Sequence, residues 1–204
     1  MTRCLQFDVG NSSAKWRLVA GGQVVARGRY RIGDQESLAA LRTGAPEVDA
    51  IWVSSVAGSD SEQALSQLCV NTWQVAPQFA RTTVETAGLR NSYADFSRMG
   101  VDRWLAMLGA RRRDAGRLCV VDAGSALTLD LVAADGSHEG GYIIPGPALM
   151  ERALVLDTDR VRFAEDVEYS LVPGTSTAEA VRHGIALAQA GAVAMVLQRC
   201  AQDP

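Results

Sequence analysis

The sequence predicts a duplicated α/β fold, made of two mixed β-sheet halves with flanking helices. The first observation is a repeated turn, because an apolar run followed by Asp, one residue, Gly and small polar residues occurs in LQFDVGNSS and again in CVVDAGSAL. The second is that strands, hairpin turns and helices follow in the same order twice. The third is a hydrophobic content of 48% in 204 residues, which supplies a sizeable core. We place the boundary near Gly116, which gives an N-terminal half at 1–116 and a C-terminal half at 117–204.

The first half begins with a predicted β-meander. Leu5, Phe7 and Val9 alternate with other residues, as expected for a strand that is buried on one face. A second alternating run follows, and the pair Gly21 and Gly22 marks a hairpin turn before a third strand at 24–30. The patterns beyond the meander predict, in chain order, a helix at 36–42, a buried strand at 49–57, a helix from 59, a strand at 72–76, a polar loop at 83–99 and a helix at 101–113.

The second half repeats this order. Its patterns predict a strand at 117–121, the second Asp-x-Gly turn, a strand at 127–133, a turn at Asp135 and Gly136, a strand at 139–144, a helix at 147–156 and a last helix at 177–199. The last helix contains the longest apolar run, GIALAQAGAVAMVLQ. This run is short for a membrane span and rich in Ala, so it predicts a helix buried in the protein.

Charge and cysteine content exclude several classes of protein. The net charge of −3 disfavours a general nucleic-acid binder, whose affinity comes mainly from neutralised phosphates. The four cysteines form no CxxC pair and lie near no histidine cluster, which favours reduced thiols in a reducing compartment. At the N-terminus, Asp8 falls where a signal peptide needs its apolar core. We therefore expect a cytoplasmic protein that binds neither nucleic acid nor membrane.

The repeated turn has the chemistry of a phosphate-binding hairpin. A strand that ends in Asp-x-Gly and folds back exposes backbone N–H groups, and the Gly lets another molecule approach closely. Side chains that add donors are Asn11, Ser12 and Ser13 in the first turn, and Ser125 and Thr128 in the second. The Asp at each strand end suits a cation or a water bound to it. A plain β-turn would have the same composition, but two copies at matching points favour a polyphosphate gripped from two sides.

Neither turn belongs to the familiar nucleotide motifs, since the sequence contains neither GxxxxGK[ST] nor GxGxxG at these points. Lys15, the only lysine of the chain, lies shortly after the first turn. Its ammonium group would suit a phosphate contact, although an exposed strand residue that faces solvent is an equally good interpretation.

Four further strings indicate a family. They are GVDRW at 100–104, VDAGSALTLD at 121–130, GGYIIPG at 140–146 and TAEAVRHG at 177–184. These strings resemble those of type III pantothenate kinases, and the two turns resemble the phosphate motifs of the actin, sugar-kinase and Hsp70 superfamily. The match runs in order from Asp8 to Gly184. The resemblance implies a duplicated actin-like (ribonuclease H-like) ATPase fold.

The resemblance also implies a reaction. The γ-phosphoryl group of ATP would pass to the primary hydroxyl of pantothenate, giving 4′-phosphopantothenate in the first step of coenzyme A biosynthesis. Asp102 would be the general base, since phosphoryl transfer needs a carboxylate that accepts the hydroxyl proton. Its place at the start of a predicted helix also allows a helix-capping role, and the two roles are compatible. The implied cofactors are ATP, Mg²⁺ and a monovalent cation, K⁺ or NH₄⁺.

The same resemblance assigns the binding residues. The ATP loop comprises Asp8, Val9, Gly10, Asn11, Ser12, Ser13, Ala14 and Lys15, with Ser125 as a contact from the second turn. Asp8 would hold Mg²⁺ through water, and Asp122 would hold the monovalent cation. The pantothenate site comprises Tyr93, Gly100, Val101, Asp102 and Arg103, with Thr177 reaching it from the neighbouring subunit of a homodimer. Arg103 would pair with the substrate carboxylate through a forked contact; a surface salt bridge, worth little, is the alternative.

One departure from the family pattern qualifies these expectations. Family members continue for several tens of residues past the last helix and add a strand with a Gly-Gly turn on the nucleotide side, whereas this chain ends at QRCAQDP. We expect a shortened second half with an open adenine side and weakened ATP binding. The alternative function is a non-catalytic binding or regulatory protein of the accessory-factor type. A phosphatase or sugar kinase of the same superfamily ranks last, because it leaves GVDRW and the Tyr93 loop without a purpose.

Overall fold

The chain forms two compact units. The structure is a computed structural model that describes residues 2–10, 13–158 and 161–202. Unit 1 comprises Met1–Val84 and Ala94–Leu105, and unit 2 comprises Glu85–Tyr93 and Ala106–Pro204. The division of the sequence into halves at Gly116 stays a prediction.

Unit 1 is built on a five-stranded mixed sheet. Its strands are β1 (Arg3–Val9), β2 (Ala14–Ala20), β3 (Gln23–Tyr30), β4 (Ala50–Ser55) and β5 (Gln78–Phe79), in the spatial order β3-β2-β1-β4-β5. The predicted meander β1–β2–β3 is antiparallel, while β4 and β5 run parallel to β1. The carboxyl ends of β1 and β4 therefore lie side by side, which is where functional groups gather in such sheets.

Unit 1 also contains helical segments. They are α1 (Gln35–Gly44), α2 (Ser59–Trp73), a 3₁₀ turn at Phe96–Arg98 and the first residues of α3 (Val101–Arg111). The side chain of Asp34 caps α1 by accepting from the Ser37 N–H. Alternate strand residues such as Leu5, Phe7 and Ile51 point into a core that also holds Leu41. The apolar alternation of these strands in the sequence thus identified the face of the sheet that is buried.

Unit 2 is built on a three-stranded antiparallel sheet. Its elements are β6 (Glu85–Thr86), β7 (Leu89–Arg90), β8 (Leu118–Ala123), β9 (Ala126–Val132), β10 (His138–Pro145), α4 (Pro147–Asp157) and α5 (Thr177–Gln202), with the remainder of α3. The sheet order is β10-β9-β8. A bulge follows His138, because Glu139 has no partner in the register and Gly140 adopts φ of +120°. Leu127, Leu129 and Val132 of β9 are buried.

The predicted strand at 72–76 is wrong. Thr72 and Trp73 form the last turn of α2, which ends where Gln74 enters the left-handed region at φ of 59°. The short strand of this region, β5, lies further along the chain at Gln78–Phe79. The apolar residues of 72–76 fit a strand as well as a helix. In the structure, α2 continues through the first two of these residues.

The prediction that the last helix is buried is also wrong. Within the single chain, α5 exposes large apolar side chains, with Leu187 at 61% and Met195 at 66% of their full exposure. By length and composition α5 is also the one helix among the described residues that could span a membrane, which is weak support for such a role. The sequence is apolar on all sides of the helix, so it does not reveal which side packs against the protein.

Candidate active site

The first Asp-x-Gly turn lies at the carboxyl end of β1, as predicted. The backbone N–H of Gly10 donates to the carbonyl of Ser13 at 3.1 Å and closes the turn, whereas Asn11 and Ser12 lie outside the described residues. Asp8 and Lys15 are directly opposite each other in the β1–β2 register, and both side chains are exposed. Val9 and Ala14 are buried and anchor the two strands. Acidic and basic groups therefore stand together at the mouth of the turn.

Asp102 occupies the first turn of α3 and is half buried. Its Oδ1 accepts a hydrogen bond from the backbone N–H of Arg103 at 2.8 Å, so the carboxylate lies close to the backbone at the start of α3. The absence of a side chain at Gly100 makes this orientation possible, because a Cβ there would lie 2.5 Å from Asp102 Oδ1. The string GVDRW thus provides both the carboxylate and the space that it needs.

Unit 1 brings Asp102 to the strand end that carries the first turn. The N–H of Val56, just past β4, donates to the carbonyl of Val9 at 3.0 Å. The same Val56 lies against Gly100, with its Cγ1 at 3.9 Å from the position of a Cβ there. A cleft of about 470 Å³ beside them is lined by residues from the end of β4, by Arg81 and by Gly100. The candidate base and the phosphate turn therefore share one end of the sheet.

Arg81 contributes a positive charge to this cleft. The sequence patterns had not singled this residue out. Its guanidinium makes a forked ion pair with Glu62, at 2.9 and 2.6 Å. Their contact lowers the pKa of Glu62 and raises that of Arg81. In sequence the two residues are far apart, so only the packing of α2 beside β5 unites them.

Arg103 and Trp104 are both buried, with 6% and 1% of their surface exposed. Trp104 belongs to the core. For Arg103 burial removes the alternative of a surface salt bridge, since a guanidinium so far from water needs specific partners. The helix register places these side chains on the inner face of α3.

The second Asp-x-Gly turn joins β8 to β9 as a two-residue hairpin. Asp122 and Ser125 are exposed, and Gly124 N–H donates to the carbonyl of Ala126 at 2.9 Å. The N-terminus of α4 abuts the turn, because Gly146 N–H donates to the Ser125 carbonyl at 3.0 Å. A Cβ at Gly146 would lie 2.5 Å from the Gly124 carbonyl oxygen. Gly146, the last residue of the string GGYIIPG, therefore packs directly against the second turn.

Tyr93 lies in a segment of unit 2 that follows β7. Its N–H donates to Asn91 Oδ1 at 2.9 Å, and its half-buried ring lies 6.1 Å from the ring of His138 in a tilted arrangement. His138 was not expected to have a role. Two histidines dispersed in the sequence gave no signal for it, and the contact arises only from tertiary packing.

Thr177 is exposed at the first residue of α5. The helix begins with a capping arrangement in which Ser176 accepts from the Glu179 N–H and Glu179 accepts from Thr175. An exposed apolar stripe continues along the face of Thr177 at helical spacing, formed by Gly184, Leu187, Ala188, Gly191, Ala194 and Met195.

The metal-ligating oxygens of the two turns determine which ions the turns can bind. Within the described ranges there is no cluster of three or more His, Cys, Asp or Glu side chains that would hold a metal by itself. Asp8 and Asp122 each offer an exposed carboxylate. Hard cations that keep much of their water, such as Mg²⁺, fit single carboxylates of this kind when phosphate completes the coordination.

Comparison with known proteins places these features in one family. A family model described as type III pantothenate kinase matches residues 4–199. A type III pantothenate kinase of Hahella chejuensis is 37% identical over 200 residues, covering 98% of this chain and 82% of its own length. That of Marinobacter nauticus is 41% identical over 182 residues, with 89% and 75% covered.

A solved structure supports the fold. A Campylobacter jejuni protein described as a Baf family transcriptional activator aligns with a TM-score of 0.55 at 19% identity, over 96% of this chain and 78% of that one. With the mixed sheet of unit 1 and the helices of both units, this similarity confirms the predicted fold class.

Proposed function

This chain belongs to the type III pantothenate kinase family, and we propose that its Asp102 is the general base of the family's reaction. The enzyme phosphorylates pantothenate with ATP, giving 4′-phosphopantothenate in coenzyme A biosynthesis. The observation that carries the role of Asp102 is its position beside the first phosphate turn in unit 1. No comparison favours the non-catalytic alternative.

The base acts on the primary hydroxyl of pantothenate. One oxygen of Asp102 is engaged by the Arg103 N–H, which fixes the plane of the carboxylate. The other oxygen accepts the hydroxyl proton as the alcohol oxygen attacks the γ-phosphorus, and the bond from that phosphorus to the bridging oxygen of ADP breaks. Because phosphoryl transfer depends mostly on positioning and charge neutralisation, a fixed carboxylate is what the protein needs to supply.

The phosphates of ATP are bound by both turns in this proposal. Backbone N–H groups of the first turn and its residues Val9, Gly10, Asn11, Ser12, Ser13 and Ala14 surround them, with Lys15 as a point charge. Ser125 contacts them from the second turn. Mg²⁺, held through water by Asp8, would neutralise the charge that develops on the phosphoryl oxygens. The exposed oxygen donors described above fit this ion.

The monovalent cation is assigned to Asp122. Its exposed carboxylate stands at the end of β8, opposite Thr128 in the register, so carboxylate and hydroxyl oxygens are both close. A K⁺ or NH₄⁺ ion there would add positive charge next to the second turn. The expected consequence is a strong dependence of turnover on K⁺.

The pantothenate contacts in this proposal are those that the family resemblance implies. Gly100, Val101 and Arg103 surround the base, with the Arg103 guanidinium pairing with the substrate carboxylate. Tyr93 adds a contact from the segment after β7. Thr177 reaches the substrate from a second copy of the chain.

The homodimer is supported by the exposed apolar stripe of α5. Six small or apolar residues on one helical face are poorly suited to water, and small residues allow a second helix to approach closely. Because Thr177 lies on the same face, docking of a second copy on the stripe carries Thr177 into the contact. The enzyme is also proposed to be cytoplasmic, with no nucleic acid or membrane as partner.

A coupled assay for ADP release tests the proposal. With ATP, Mg²⁺, K⁺ and pantothenate present, Asp102→Asn should lower turnover by about 100-fold or more, since general-base catalysis contributes about 10² to 10⁴. The control is Asp60→Asn, an exposed carboxylate on α2. If Asp102→Asn keeps wild-type turnover with an unchanged melting temperature, Asp102 is not the base.

A further inference from the structure

A hydrogen-bonded Ser–His–Asp chain, whose histidine and aspartate are buried, lies next to the Tyr93 segment. His138 Nδ1 is 2.8 Å from Ser92 Oγ, and His138 Nε2 is 3.0 Å from Asp130 Oδ1. The side chains of His138 and Asp130 are 0% and 2% exposed. Polar groups so far from water are costly unless they are hydrogen-bonded, so this chain has a defined geometry.

The partners of His138 determine its hydrogen-bonding pattern. A carboxylate only accepts, so Nε2 carries the proton that is donated to Asp130. When the ring carries this one proton, Nδ1 is an acceptor, and Ser92 donates its hydroxyl proton to it. The order of the atoms differs from that of a hydrolase triad, since the serine faces Nδ1 and the carboxylate faces Nε2. Through this contact the histidine holds the Ser92 side chain in place.

The segment that carries Tyr93 is fixed to the β9–β10 turn at two points. At the first, the Arg90 N–H donates to the Gly136 carbonyl at 2.9 Å, and the Arg90 guanidinium contacts Asp135 and Ser137 at 2.7 Å. At the second, Ser92 contacts His138. Arg90 and Ser92 thus tie the segment to β10 and the turn before it, on the N-terminal side of Tyr93.

We propose that His138 is a positioning residue for pantothenate binding, which sets the pose of Tyr93 through Ser92 while Asp130 fixes its ring. The tilted packing of the Tyr93 ring against His138 adds a second restraint. This inference rests on the proposed function, since Tyr93 matters here as a pantothenate contact. A buried histidine contacts no substrate, so its effect is on substrate affinity.

The first test compares Ser92→Ala with wild type. Removing one net hydrogen bond should raise the KM for pantothenate about three- to tenfold. The kcat and the KM for ATP should stay within about twofold. Ser66→Ala is the control, because Ser66 on α2 also makes one hydroxyl contact, to the Glu62 carbonyl. An unchanged pantothenate KM in Ser92→Ala overturns the inference.

Two substitutions of His138 separate positioning from stability. In His138→Asn, the side-chain amide occupies the position of Nδ1 and keeps the contact with Ser92. In His138→Gln, the side-chain amide occupies the position of Nε2 and keeps the contact with Asp130. We expect His138→Gln to raise the pantothenate KM selectively and His138→Asn to keep it near wild type, even though both lower the melting temperature. If the KM follows the melting temperature in both variants, His138 is merely structural and the inference fails.

A double-mutant cycle distinguishes this inference from the proposed function. If Ser92 acts through Tyr93, Ser92→Ala should add no further rise in KM in a Tyr93→Ala background. Additive effects contradict the inference and leave the proposed function intact. If Tyr93→Ala itself leaves the pantothenate KM unchanged, the proposed substrate contact is wrong, and the inference falls with it.

Discussion

At the scale of single residues, Gly100 determines where the proposed base can lie. Its backbone carries no left-handed strain, so another residue could adopt the same conformation. What excludes a side chain is the Asp102 carboxylate, 2.5 Å from the position of a Cβ. The glycine is therefore needed by the position of its neighbour and not by the turn itself.

Gly100→Ala should displace the Asp102 carboxylate and lower kcat by about tenfold or more, because small misplacements of reacting groups are costly. The protein should stay folded, since the carboxylate yields by rotating. Gly109→Ala is the matched control on the same helix, where a Cβ meets nothing within 4 Å. We expect it to stabilise α3 by about 0.5–1 kcal/mol without loss of activity. Steady-state kinetics and thermal melting of both variants check this, and wild-type kcat in Gly100→Ala would contradict it.

Burial of Cys69 links stability to alkaline pH. The thiol is fully buried in the core of unit 1, and burial raises its pKa from the ordinary 9.0 to about 12. Between these values the unfolded chain loses the thiol proton first, so the folded state loses stability as pH rises. Below about pH 9 both states keep the proton and the thiol contributes no pH dependence.

We expect the stability advantage of wild type over Cys69→Ala to shrink by up to about 1.4 kcal/mol per pH unit above pH 9. Urea unfolding of both proteins under reducing conditions at pH 8, 9, 10 and 11 gives this difference directly. Comparison with the variant cancels the titration of groups that do not interact with Cys69. Tyr30 is the exception, because its pKa is raised by burial and also by the charge of Cys69. A difference that stays constant over the whole range would show that the thiol does not titrate as proposed.

At the scale of elements, the sequence predicted most helices and strands because their apolar patterns were unambiguous. β1 alternates between buried and other positions, and α1 and α3 begin and end within two residues of expectation. The strand at 72–76 failed because a short apolar run fits two structures. The short strands β6 and β7 within the polar stretch 83–99 have no periodicity, so only their pairing reveals them.

The junction of α4 and the second turn also belongs to this scale. Gly146 has φ of −71° and ψ of 170°, which any residue adopts, yet its Cα faces the Gly124 and Ser125 carbonyl oxygens. Gly146→Ala should push the turn away from α4 and raise the KM for ATP about tenfold, while the KM for pantothenate changes little. Backbone atoms yield less easily than side chains, so a loss of about 1–3 kcal/mol in stability is expected as well. An unchanged KM for ATP in Gly146→Ala would mean that the second turn does not bind ATP. Gly109→Ala is again the control.

At the scale of the whole molecule, α5 links association to activity. If a second copy covers the apolar stripe, a charge in the stripe should dissociate the dimer. It should also remove the proposed Thr177 contact. Leu187→Glu should shift the mass measured by light scattering from dimer to monomer at micromolar concentration and raise the pantothenate KM strongly.

The control for this substitution is Val70→Glu, which places the same charge on an exposed apolar residue of α2. It should leave both mass and kinetics unchanged. A wild-type monomer with full activity, or a Leu187→Glu dimer, would contradict the proposed use of α5. Loss of activity without dissociation would instead indicate that Leu187 affects the fold.

The sequence by itself determined the family, the fold class and the two Asp-x-Gly turns, because these depend on short strings and local periodicity that a reader of the chain sees directly. Tertiary structure alone decided that Asp102 lies at the sheet end of the first turn, that Glu62 pairs with Arg81 and that Ser92, His138 and Asp130 form a hydrogen-bonded chain. These contacts join residues that are distant in sequence and polar, and polar residues carry no periodic signal of their partners. Burial, which makes the contact between His138 and Asp130 energetically necessary, exists only once the chain has folded.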